Sequence, residues 1–174
     1  MKKHFMILIF LFAGFSIFAA NENNIINILH IIQICDSSFP VGAFNHSYGM
    51  ESYLRNNKIT NMESLKEYID VFLNNVFVYS DGLSIRMLYE YLNNNELEKI
   101  LELDRMLTVQ SIAKETRNGS KLIASRMIKI FLDLYDSDIL KEYEKKINTK
   151  EAFGHPAIVF GLIMYNLNFS VKEA

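Results

Sequence analysis

The chain contains no tryptophan, one cysteine, two prolines and seven glycines in 174 residues. A single cysteine, Cys35, excludes a disulfide framework within the chain and leaves no C-x-x-C pair for metal or redox chemistry. So few helix breakers leave room for long uninterrupted helices. An excess of charge of one sign is also missing, with 18 Lys and Arg against 20 Asp and Glu and a net charge of -2. The basic residues are scattered, which is not the footprint of a phosphate-tracking surface, so no nucleic acid partner is expected. Enzyme signatures are absent as well. There is no G-x-G-x-x-G, no phosphate-binding loop, no G-x-S-x-G and no H-E-x-x-H, and a non-catalytic protein is expected.

Half of the residues are hydrophobic and 22% are charged, a globular composition. A chain of this length removes roughly two-thirds of its unfolded surface from water on folding. The N-terminus divides from the rest: Lys2 and Lys3 precede an uncharged apolar run from Phe5 to Ala20. A basic start followed by an apolar stretch is the layout of a secretory signal, although cleavage after Ala20 would leave the large Phe18 three residues before the cut. Residues 1–20 are therefore a signal or anchor, an unusual extension, or the result of a start codon placed upstream of the true one. Residues 21–174 form one all-helical domain.

Within that domain the apolar residues recur at helical spacing. Ile25, Ile28, Leu29 and Ile32 predict a helix ending near Cys35, and Pro40 with Gly42 interrupts it before a second helix from Ser47 to Arg55. Thr60 and Glu63 match a capping box. Leu65, Tyr68, Ile69, Phe72, Leu73, Val76 and Phe77 then form an unbroken i, i+3, i+4 stripe, the strongest helix signal in the chain. Asp81-Gly82 marks a break or kink, and Asn93 to Asn95, Asn118 to Ser120 and Asp136 to Asp138 mark breaks, with Asn95 able to cap the following helix. The Lys141 to Lys146 stretch is a solvated helix face, and Pro156 opens a helix whose residues Ala157 to Tyr165 are apolar on every side. That helix is too short to span a bilayer and needs neighbours all round, so either other helices enclose it or a C-terminal portion is missing. Period-2 alternation is absent. The fold class is all-α, an irregular bundle of about six to eight helices.

Two chemical constellations carry little. Cys35 paired with a histidine could form a nucleophile, but a cysteine on an apolar helix flank is usually buried and inert. His30, Cys35, Asp36, His46 and His155 offer metal-ligand chemistry at spacings that match no standard pattern, so no metal site is assigned. The unusual stretch is Cys35 to Glu51, which combines aromatics, small residues, Pro40 and an Asp/His/Glu set. Small residues permit close backbone approach and aromatics supply rigid contact area, as in a loop that locks two helices or recognises a partner protein.

Pro40, Gly42, Phe44, His46, Ser47, Tyr48, Gly49 and Glu51 resemble the N-terminal signature of the UreF family of urease accessory proteins. Glu115 to Ser120, with Arg117 and Ser120, resembles that family's Glu-x-Arg-x-x-Ser element, and His155 to Gly161 resembles its His-x-x-x-Val-x-Gly element at the start of a buried helix. Met50, Asn45 and Ala124 depart from the family's usual residues. The resemblance covers about residues 24 to 169, and it implies that further C-terminal helices of the family are lacking here.

The resemblance implies a cytoplasmic, dimeric chaperone subunit that bridges UreD (UreH in some organisms) and the GTPase UreG. The complex would dock on apo-urease and promote GTP-dependent nickel insertion. No cofactor would be held stably by this subunit, since nickel is handled by the complex and GTP is bound by UreG. Phe44, His46, Tyr48 and Glu51 would organise an interface, and Arg117 would be a buried or interface charge needing a carboxylate partner. Set against this is an exported or membrane-anchored helical binding module, supported by the apolar leader alone.

Overall fold

In the computed structural model, residues 22–43, 47 and 49–174 are described, and among them there are helices and turns but no strand. Backbone contacts divide the chain into two compact units that meet at Phe39 and Pro40. In the first, helix α1 (Glu22–Cys35) follows the predicted stripe. Its terminal residue Cys35 is exposed, against the expectation of a buried thiol. Desolvation nonetheless pushes the Cys35 thiol above its ordinary value, which disfavours the thiolate a nucleophile would need. The apolar leader lies outside the described residues. No helix among the described residues is long and apolar enough to cross a membrane.

The second unit contains α2 (Met50–Arg55), α3 (Met62–Val71), a π-helical segment (Phe72–Gly82), α4 (Leu83–Asn93), α5 (Leu97–Gln110), α6 (Lys114–Leu134), α7 (Asp138–Asn148) and α8 (Pro156–Asn166). Its centre is α8. Ala157, Ile158, Val159, Gly161, Leu162, Ile163 and Met164 are all buried, as a helix apolar on every side requires. Helices α4, α6 and α7 pack around it, and α5 packs on α4. Their inward faces supply Leu88, Ile128, Phe131, Leu140 and Tyr143, each nearly or fully removed from solvent. Close approach is built in at Gly161, where a Cβ would come within 2.5 Å of Leu88 Cδ2. Helix α7 shows the expected division, with Leu140 and Tyr143 inside and its lysines outside.

Several local expectations shift. The capping box belongs to Asn61 and Ser64 rather than Thr60 and Glu63: Asn61 Oδ1 accepts from the Ser64 N–H (2.9 Å), while the Ser64 hydroxyl accepts from the Asn61 N–H (3.1 Å). Gly49, at a φ of 98°, delays α2 to Met50. Asn95 takes a positive φ of 57° and ends a turn without capping α5. Asn118 to Ser120 lies inside α6, because the buried face of Ile123, Ala124, Met127, Ile128 and Phe131 outweighs the cost of about 1 kcal/mol for one helical glycine.

The largest difference is at the 65–77 stripe. The chain is helical without a gap from Met62 to Asn93, and Asp81-Gly82 is no break, since Gly82 has ordinary right-handed geometry (φ -62°). The stripe is not buried. Neither α3 nor the π segment contains a buried residue.

Candidate functional site

The signature from Pro40 to Glu51 is partly placed. Phe44, His46 and Tyr48 lie outside the described residues, as does Asn45. Pro40 begins a turn in which Val41 is buried and its carbonyl accepts from Arg126 Nη1 at 3.2 Å. Gly42 sits at a φ of 81° against the same guanidinium, so a side chain there would be both strained and obstructed. The Ser47 carbonyl accepts from the Met50 N–H (3.1 Å) and Gly49 precedes α2, whose first turn carries the exposed Glu51. These residues tie a turn to α6 and start a short helix.

Arg117 does not pair with a carboxylate. Its Nη1 donates to the carbonyls of Ser111 (2.6 Å) and Ile112 (2.7 Å), closing the end of α5. Both carbonyls lie in the irregular link between α5 and α6, where no regular backbone donor serves them, and a guanidinium with several N–H groups is well suited to bond both.

Around His155 the chain builds a polar cluster that sequence reasoning only half located. The Asp104 carboxylate, fully buried on α5, accepts from three successive backbone N–H groups: Phe153 (2.5 Å), Gly154 (3.2 Å) and His155 (2.8 Å). Gly154, at a φ of 80°, supplies the turn that aims all three at one carboxylate. A buried charge is tolerated when charge-assisted hydrogen bonds replace water. Tyr143 stands beside Asp104, short of hydrogen-bond geometry; burial and then the neighbouring carboxylate hold its ionisation well above the ordinary range. Nothing in the spacing of Asp104 distinguished it from a surface acid on an amphipathic helix. Its position after Leu101 and Leu103 was the one available signal.

The His155 ring caps α8, its Nδ1 accepting from the Ala157 N–H at 3.3 Å, which places the proton of the neutral ring on Nε2. Burial lowers its pKa below the ordinary value, partly offset by the charges of Asp81 and Asp104. His155 and the buried Ser120 line one cavity of about 470 Å³ together with Asp81, Thr116, Phe72 and Val76. Two of the three resemblance elements therefore converge in space. No group of three metal-ligating side chains occurs among the described residues.

Beside this cavity, the apolar residues of the π segment and its flanks face solvent. Val71, Phe72, Leu73, Val76, Phe77, Val78, Tyr79 and Leu83 are 37–71% exposed. On the other side of Phe72, a second cavity of about 420 Å³ opens between Tyr53, Ile59, Tyr68 and Val71. Large exposed apolar patches mark protein or membrane interaction sites, ligand grooves or aggregation liabilities.

The comparisons with known proteins point to one family. The UreF family model matches residues 59–174, two-thirds of the chain. The urease accessory protein UreF of Streptococcus salivarius (strain 57.I) is 41% identical over 146 residues, covering 84% of this chain and 62% of that relative. UreF of Bacillus sp. (strain TB-90) is 40% identical over 147 residues, covering 84% of this chain and 65% of its own length. UreF of Lachnoclostridium phytofermentans is 41% identical over 141 residues, covering 81% and 62% respectively. The chain thus spans a little under two-thirds of the length of these relatives. With the capped, buried α8 helix, the Gly42 turn and the family match over the whole bundle from Ile59 onward, the chain belongs to the UreF family of urease accessory proteins.

Proposed function

We propose that this chain is a non-catalytic chaperone subunit of urease maturation, bridging UreD (UreH) and the GTPase UreG on apo-urease so that nickel, the cargo, is inserted in a GTP-dependent step. It works in the cytoplasm, as a homodimer within that complex. The observation that carries a docking role is the exposed apolar run from Val71 to Leu83, which leaves large side chains in water that a partner would cover. Membership of an accessory-protein family supports the choice of partners. Phe44, His46, Tyr48 and Glu51 remain proposed interface residues, with Gly42 and Gly49 shaping the backbone that presents them.

The test is a pull-down with tagged residues 22–174 against separately expressed UreD and UreG from the same source. Retention of UreD, and of UreG once UreD is present, is the expected result. A soluble, helical protein that retains neither overturns the reading.

A further inference from the structure

We propose that the cavity between the π-helical segment and the start of α8 is a pocket for a cationic side chain, an arginine carried by a partner protein. Four cavities are described in the second unit. Arg86 lines one, Lys58 another, and Lys121 with Lys150 a third. The cavity under the π segment is lined by the Asp81 carboxylate and by no lysine or arginine. Neither Asp81 nor Asp104 has a salt-bridge partner among the described residues. Asp81 receives only the hydroxyl of its neighbour Ser80 at 2.8 Å, and that hydroxyl is shared with the Val76 carbonyl at 2.9 Å. Asp104 does not line the cavity, and its oxygens accept from the backbone N–H groups of residues 153–155. The lining therefore presents one carboxylate, Asp81, without an ion-pair partner among the described residues, together with the apolar side chains of Phe72 and Val76.

The winding of the chain creates this arrangement. Phe72 and Asp81 are nine residues apart, about two and a half turns of an α-helix, which would send them to opposite sides. In a π-helix, bonded at i to i+5, positions four and five apart stack, so Phe72, Val76 and Asp81 share one face. A cavity lined by both an aromatic ring and a carboxylate suits a planar guanidinium, which can lie against a ring and bond an acid through its N–H groups. Gln110 and Thr116 at the rim offer further acceptors. The proposal rests on the docking reading only for the kind of molecule that brings the arginine, so its test uses a free probe and fails separately from partner retention.

The experiment is an NMR titration of the histidine-labelled full chain with N-acetyl-argininamide, with the uncharged N-acetyl-citrullinamide as control. The His155 ring signals are assigned through His155→Gln. The expected result is a saturable shift of the His155 signals with the arginine probe alone, weakened at least tenfold in Asp81→Asn. In Val76→Arg the introduced guanidinium lies one π turn from Asp81 and should fill the pocket from within, abolishing the shift. Val76 is 49% exposed, so this second variant keeps the fold should Asp81→Asn disturb it. Equal shifts from both probes, no saturable shift, or unchanged binding in both variants would overturn the proposal.

Discussion

Two apolar stretches of this chain have opposite fates. Ala157 to Tyr165 on α8 is enclosed by three helices, while Val71 to Leu83 lies in water along the π segment. Both are rich in large aliphatic residues, and the exposed one carries the clearer amphipathic stripe. Hydropathy therefore does not separate a core helix from an exposed one. What separates them is the anchoring. Helix α8 is fixed at its start by three N–H bonds to Asp104 and by the His155 cap, and it is brought close to α4 by Gly161. The π segment has no long-range side-chain hydrogen bond of that kind among the described residues. π-Helical winding is rare, and this exposed segment of 11 residues is the one to which the proposed docking role is assigned.

The sharpest way to break the contrast is to release the anchor. Asp104→Ala removes the charged acceptor of three N–H groups, and bonds to charged groups contribute roughly 1.5–3 kcal/mol each without adding fully. A loss of about 3 kcal/mol or more is expected in urea unfolding, with a fall in Tm on the order of 10 °C for a chain of this size. A change under 1 kcal/mol would show that the turn at 153–155 holds α8 without the carboxylate.

Gly161→Ala should come next. The new methyl meets Leu88, which is fully buried and cannot swing aside into solvent. Overpacking of this kind costs about 1–3 kcal/mol. The matching change at Gly49, where no atom lies within 4 Å of the added carbon, meets only backbone strain.

A smaller effect concerns pH. The folded His155 has a depressed pKa, so it resists a proton that the unfolded chain accepts near its ordinary value of about 6.5. Its contribution to stability is complete above that pH and is lost as the pH falls below it, down to the lower folded value. The groups that face it are Asp81 from the π segment, Asp104 from α5 and Tyr143 beside Asp104 from α7, and both carboxylates moderate the loss. Thermal melts between pH 7.5 and 5 should decline less steeply in His155→Gln than in the unaltered chain; parallel curves would remove His155 as the cause.

The smallest stability change is expected on the exposed side. Phe77→Asp, at a side chain 42% exposed, should alter unfolding by no more than about 0.5 kcal/mol. The same change should weaken UreD retention at least tenfold. Full retention by Phe77→Asp would move the docking surface away from the π segment, and marked unfolding would show that the segment belongs to the core.

Much of the helical inventory was legible from local sequence. The Pro156 start, the enclosed helix after it, the break at Asp136 to Asp138 and the interruption around Pro40 and Gly42 depend on backbone chemistry and on periodicity within a turn or two. The resemblance elements likewise located the Gly42 turn, Ser120 and His155. The functional geometry was less visible. Arg117 satisfies carbonyls rather than an acid, because α5 ends where it does. Asp104 had no signal to separate it from a surface acid and Asp81 was read with Gly82 as a break or kink, since their surroundings depend on partners 49–51 residues away for one and on helix winding for the other.

The sequence by itself determined that the chain is helical and which family it belongs to, because these follow from short-range spacing and from motif residues in order. It also determined that α8 must be enclosed, because a helix apolar on every side has no face for water. Only the tertiary structure decided which amphipathic stripe stayed outside, which acid went inside, and that Phe72, Asp81, Ser120 and His155 share a cavity. Those outcomes depend on how α4 to α8 fill the space around one another, and once that space is filled the π segment from Phe72 to Gly82 keeps no buried residue.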